Sequence, residues 1–155
     1  MEIRYLTIEQ AIEIHRKTVE VSGGGMTEHL DTGRLASVLD HIQNDDYYPN
    51  LEDKVTHLFF STNKFHCFAD GNKRMAITLC AQLLLINGYL YCVGHFLSHL
   101  MENISYHVAA GSIDKDFLHE IICAVINEEF ENEELKLKII FAISQSDQNQ
   151  DETQI

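Results

Sequence analysis

The sequence predicts an all-α fold, a compact single-domain bundle whose functional loop lies at the N-terminal end of a central buried helix. Three observations point to it. Apolar residues recur at helical spacing along the chain, as in Leu35, Val38, Leu39 and Ile42. One Pro and eight Gly leave few forced breaks. Residues 73–86 are apolar almost all round, the mark of a helix enclosed by others.

Thr7 followed by Gln10 is a capping-box pattern that opens the first helix, with Ile8, Ala11, Ile12, His15 and Val19 near one face. Ser22-Gly23-Gly24-Gly25 stops it, because consecutive glycines lose too much backbone entropy in a helix. A second helix is expected over residues 34–43, ended by Asn44-Asp45-Asp46. Tyr47, Tyr48 and Asn50 around Pro49 read either as a packed turn or as a short β-hairpin flap that docks a target peptide by strand addition. Residues 51–64 form a third helix with Val55, Leu58, Phe59 and Thr62 on one side. The central helix stops at Asn87-Gly88.

A short extended stretch is expected over residues 89–93, then helices over 97–110 and 115–129, the latter opened by Ser112 or Asp114. A last helix over 133–144 carries Leu135, Leu137, Ile140, Phe141 and Ile143, which complete the core or bind a partner. The polar end is expected to fray. The chain thus divides into a domain of residues 1–129, a helical extension of 130–145 and a disordered acidic tail of 146–155.

Twenty-four acidic against eleven basic residues give a formal net charge of -13, which argues against a nucleic-acid partner, since phosphate backbones need a basic face. Eight Asp/Glu and two Lys fall in residues 128–155, a run whose ordinary meaning is a solvated surface. Met1-Glu2-Ile3-Arg4-Tyr5 lacks a secretory pattern, and the apolar stretch 76–86 is too short to span a bilayer. The expected location is cytoplasmic, with no membrane partner. Cys67, Cys80, Cys92 and Cys123 are scattered, as free thiols in a reducing compartment are. His95 and His99 have the spacing of a helical metal pair, but no third ligand accompanies them.

The chemistry concentrates in His66-Cys67-Phe68-Ala69-Asp70-Gly71-Asn72-Lys73-Arg74. A helix start exposes backbone N–H groups and partial positive charge, which together accept an anion. Gly71 lets the backbone come close to a phosphate. Asn72 donates an amide, Lys73 a point charge and Arg74 a planar fork. Asp70 is a hard carboxylate, sufficient for magnesium, which takes one or two carboxylates besides substrate phosphates. His66, with an ordinary pKa near ~6.5, can take a proton from an attacking hydroxyl. Phosphoryl or nucleotidyl transfer needs these parts and little else. Taken singly, each residue has a plainer reading: Asp70-Gly71-Asn72 is also a good turn and cap, and His66 also suits a core.

As an ordered string the segment resembles the Fic/Doc signature His-x-Phe-x-Asp/Glu-x-Asn-x-Arg. Lys73 resembles the Doc (death-on-curing) branch, and Ile77 stands where Fic proteins carry a second Arg. Gly24-Gly25-Met26, the run of Asp31, Gly33, Leu35 and Leu39, and the apolar helix ending in Asn87-Gly88 are similar to that branch too. The resemblance implies that His66 is the catalytic base and that Asp70 binds Mg2+. It gives Gly71, Asn72, Lys73 and Arg74 to the nucleotide phosphates, and makes Phe68 the loop's structural anchor. Cys67 departs from the pattern, where many members have Pro.

For function, the resemblance implies a toxin that transfers the terminal phosphate of ATP or another nucleoside triphosphate to a Ser/Thr hydroxyl of a protein, such as a translation GTPase. It also implies an antitoxin that silences the enzyme in trans. AMP transfer by a Fic-type protein adenylyltransferase is the alternative, and a non-catalytic interaction protein on the same fold is a second. Ser98, Glu102 and Asn103 match the spacing of a Fic inhibitory helix, but they lie after the central helix and are read as coincidence.

Overall fold

The computed structural model describes residues 2–21, 32–64 and 72–153. Eight helices appear among them: α1 (Ile8–Val21), α2 (Thr32–His41), α3 (Leu51–Lys64), α4 (Asn72–Ile86), α5 (Leu90–Phe96), α6 (His99–Ala110), α7 (Lys115–Ile126) and α8 (Glu133–Thr153). The all-α expectation holds, and α3 and α4 form the centre. The first packs against α2, α4, α6 and α7, and the second against α1, α3, α5 and α6. No helix among the described residues is long and apolar enough to cross a membrane.

α4 is buried because its sequence offers almost nothing else. Met75, Ala76, Leu79, Cys80, Leu83 and Leu84 are all inaccessible to solvent. α3 has a mixed sequence and still buries Val55, Leu58, Phe59 and Thr62, the predicted face. Its buried polar groups are satisfied locally. Thr56, Thr62 and Asn63 donate to the carbonyls of Glu52, Leu58 and Phe59, and Ser105 of α6 donates to Asn63 Oδ1 at 2.7 Å.

Local signals set most helix ends. Thr7 and Gln10 cap each other's backbone N–H at 3.1 and 2.9 Å, as the capping box predicts. Asp114, not Ser112, caps α7 by accepting from Phe117 N at 2.8 Å. Asn87 clamps the N-terminal segment to the end of α4, exchanging two hydrogen bonds with the backbone of Arg4.

Three expectations are corrected. The stretch at residues 89–93, expected to be extended, belongs to α5, where Cys92 and Phe96, one turn apart, both reach the core. Burying that pair outweighs Gly94, a weak helix former. No strand occurs among the described residues, so the hairpin flap expected at Tyr47, Tyr48 and Asn50 is a run of turns. Asn44 Oδ1 holds the first turn by accepting from Asp46 N, and Pro49 has no N–H to give a ladder. Lastly, α8 keeps helical backbone to Thr153, past the expected end near 144. Residues 133–155 contain no Gly or Pro, so nothing in the sequence breaks the helix once Leu135 and Ile139 anchor it.

Candidate functional site

His66, Cys67, Phe68, Asp70 and Gly71 lie outside the described residues, as do the glycine turn at positions 23–25, Met26 and Asp31. What the structure describes is the frame. α3 ends at Lys64 and α4 begins at Asn72, so the motif joins the two central helices. Asn72 and Lys73 open α4, though their side chains lie outside the described set. Arg74 follows with an exposed side chain.

The charge at this helix start is inverted. α1, α3, α6, α7 and α8 each carry an acidic residue in the first turn, where it complements the helix dipole. α4 has none there, nor have α2 and α5, but α4 alone among these three places two cations, Lys73 and Arg74, in that turn. Two cations next to exposed N–H groups are unfavourable by themselves and favourable once an anion binds. This arrangement suits binding better than stability.

Arg74 opens onto a cleft of about 900 Å³ between α1 and α4, lined also by Leu97, just after α5, and by Glu102 of α6. The volume is in the range of small-molecule sites. Leu6, Ile14, Ile77, Ile86 and Leu97 give it an apolar floor, while Glu9, Glu13 and Lys17 line it from α1. Glu102 of α6 shares the cleft with Arg74. The sequence match at Ser98, Glu102 and Asn103 was read as coincidence because it follows the central helix; packing of α6 on α4 nevertheless brings Glu102 to the cleft. Ile77, one turn after Arg74, is buried and presents apolar surface to the cleft.

The remaining candidates fall into the frame. His15 is fully buried on the core side of α1. His95 faces Phe130 with ring centroids 6.1 Å apart, and the His99 side chain lies outside the described set. Cys80 and Cys92 are buried and Cys123 half-buried, all as free thiols. Burial, with the carboxylates of Glu52 and Asp53 nearby, pushes the Cys123 thiol up to about 11, which removes it as a nucleophile at neutral pH.

Sequence reading missed a second polar cluster, formed by Tyr48, His57, Lys64 and Lys115. His57 Nδ1 lies 2.9 Å from Lys115 Nζ, 58 positions away, and no local spacing announces such a meeting. Burial, then the charge of Lys115 and the proximity of His41, pushes the His57 ring down to about 4, so at neutral pH it is an uncharged acceptor.

Compared with protein-family models, the chain matches that of the Fic/DOC family over residues 5–84, just over half its length. No curated protein matches it. The matched stretch ends inside α4 and contains the whole string of positions 66–74.

Proposed function

The chain belongs to the Fic/DOC family, and from that premise we propose that it is a Doc-like toxin that transfers the terminal phosphate of a nucleoside triphosphate to a Ser/Thr hydroxyl of a target protein. The family typically transfers part of a nucleoside triphosphate to proteins, usually with Mg2+. In this reading His66 takes the proton from the acceptor hydroxyl. Arg74 and Lys73, with Asn72 and the Gly71 backbone, hold the phosphates at the start of α4. Phe68 anchors the loop from below. The donor set suits magnesium, with Asp70 as one hard carboxylate beside a phosphate cradle; the ion there would offset phosphate charge.

The observation that carries the reading is the inverted charge of α4, a buried helix whose first turn holds cations and whose Arg74 opens on a cleft. Ile77 favours terminal-phosphate transfer over AMP transfer. A second Arg at that position would help hold a triphosphate in the AMP-transfer orientation, and here the cleft wall is apolar instead. Silencing in trans by an antitoxin is part of the proposal. An apolar segment seated on Leu6, Ile14 and Ile86 would lie beside Arg74 and obstruct the phosphates. The target is proposed to be a translation factor.

The test is a pair of transfer reactions with purified protein, magnesium and a bacterial lysate, using ATP labelled at the γ- or the α-phosphate. Label on protein from the γ position alone is expected, and the labelled band names the target. His66→Ala should abolish it without unfolding the chain, and Asp70→Ala should remove the magnesium-dependent rate. Label from the α position would replace this reading by AMP transfer. No label from either would favour the non-catalytic alternative.

A further inference from the structure

α8 repeats a feature of α4 without its consequence. Seven of the nine residues 135–143 are apolar, the pattern of a helix enclosed by others. Here only one side is covered. Leu135 and Ile139 reach the core, while Leu137, Ile140 and Phe141 are each at least 60% exposed. Leu137 and Phe141, one turn apart, join Ala142 and Phe117 of α7 in an open apolar groove of about 700 Å³. Along α8 the groove runs from Glu134 to Ala142, about 12 Å or two turns. None of the residues lining it lines the cleft at Arg74. α8 also lies outside the stretch that matches the family, residues 5–84.

Shape and charge together name the occupant. A two-turn groove between helices accepts the apolar stripe of a third helix, with side chains at helical spacing. Lys138 is the one cation among the lining residues, and Glu120 closes on it at 3.1 Å. Lys136 is closed by Glu131 at 2.6 Å. Glu134 at one end of the groove, Glu133 beside it and Asp116 next to Phe117 make no ion pair among the described residues. Glu133 and Glu134 complement the dipole of α8, a role that still leaves their oxygens able to accept a cation. In sequence, residues 142–155 add Asp147, Asp151 and Glu152 and no Lys or Arg. The result is an apolar floor in an acidic setting. Like charge disfavours a second copy, which brings the same carboxylates and a formal net charge of -13. It disfavours anionic lipid and nucleic acid for the same reason. A helix with an apolar stripe and Lys or Arg on its flanks satisfies both the floor and the rim.

We propose that the groove between α7 and α8 is a docking site for a basic amphipathic helix of another protein. The partner's apolar stripe sits on Phe117, Leu137 and Phe141, and its cations face Glu134 and Asp116. The proposal does not rest on the transferase reading.

The test is a backbone-amide NMR titration of the full chain with a blocked helical peptide of leucine and lysine, its leucines at i, i+3, i+4 and i+7 spacing. Two comparison probes are a scrambled peptide of the same composition and the same leucine pattern with glutamate in place of lysine. The amphipathic lysine peptide is expected to shift the amides of Phe117, Glu134, Leu137 and Phe141, and the other two to bind more weakly. In the double variant Leu137→Ser and Phe141→Ser, both at exposed positions, affinity should fall about tenfold, as loss of a central apolar anchor does. The double variant Glu133→Gln and Glu134→Gln keeps the floor and should lose about threefold, the size of an exposed ion pair. Equal binding of the scrambled or the glutamate peptide, unchanged affinity in the serine variant, or shifts confined to Ile14 and Ile77 in the other cleft would overturn the site. A concentration-dependent dimer in sedimentation, lost in the serine variant, would give the face to a second copy instead.

Discussion

His57 shows how one side chain's environment becomes a measurable property. Burial disfavours its charged form, and protonation would also set a second positive charge 2.9 Å from Lys115 Nζ, so the folded state binds that proton less readily than the unfolded chain. The group's contribution to stability is complete above the ordinary imidazole value of 6.5. It is lost as the pH falls from there through about 4. Allowing for solvent screening at a part-buried ring, the loss is about 1–2 kcal/mol. His57→Asn keeps an acceptor toward Lys115 and removes the titrating proton. Urea midpoints between pH 4 and 7.5 should therefore depend less on pH in the variant than in the parent; parallel curves would disprove the assignment. Lys54 is the opposite case, a buried cation kept charged. Burial opposes the charge, but hydrogen bonds with Asp45 and Tyr5 raise its proton affinity on balance. Its Nζ also donates to the Ile42 carbonyl at 2.8 Å, tying α3 to the end of α2.

Among the elements, three helix ends, those of α4, α6 and α7, share one geometry, and the first and last of them reach it with different residues. After α4, Gly88 has φ +86, Tyr89 N bonds to Leu84 O and Gly88 N to Leu85 O. After α7, Glu128 has φ 58, Glu129 N bonds to Ala124 O and Glu128 N to Val125 O. Both are Schellman ends, and the left-handed residue is a glycine in one and a glutamate in the other. The glutamate bears a Cβ where the backbone tolerates it poorly and a negative charge at the negative end of a helix. Glu128→Gly should stabilise the fold by about 0.5–1 kcal/mol, read as a higher urea midpoint at unchanged slope. A lower midpoint would mean that the Glu128 side chain does something the backbone argument omits.

For the molecule as a whole, α8 is the least integrated helix. It gives Leu135 and Ile139 to the core and a surface pair, Lys138 with Glu120, to α7. Leu137, Ile140 and Phe141 are 66%, 60% and 65% exposed. Burying two aliphatic side chains contributes about 3–6 kcal/mol, and the surface pair little. A domain with ~5–15 kcal/mol of stability can survive that loss. A chain truncated after Asn132 is expected to fold, with a lower melting temperature and γ-phosphate transfer retained. An unfolded truncation would make α8 part of the domain instead of an extension of it.

The sequence by itself determined the helical class, the cores of α3 and α4, the cap at Thr7, and the family. Those depend on apolar period, capping chemistry and the ordered string from His66 to Arg74, all of which act over a few neighbouring residues. Only the tertiary structure decided the rest. It turned the stretch after Gly88 into α5, because the gain from burying Cys92 and Phe96 depends on the neighbours waiting for them. It brought Glu102 into the cleft with Arg74 and set Lys115 against His57 and Phe60. Contacts of that kind join positions tens of residues apart, and they leave no trace in the local spacing of residue types.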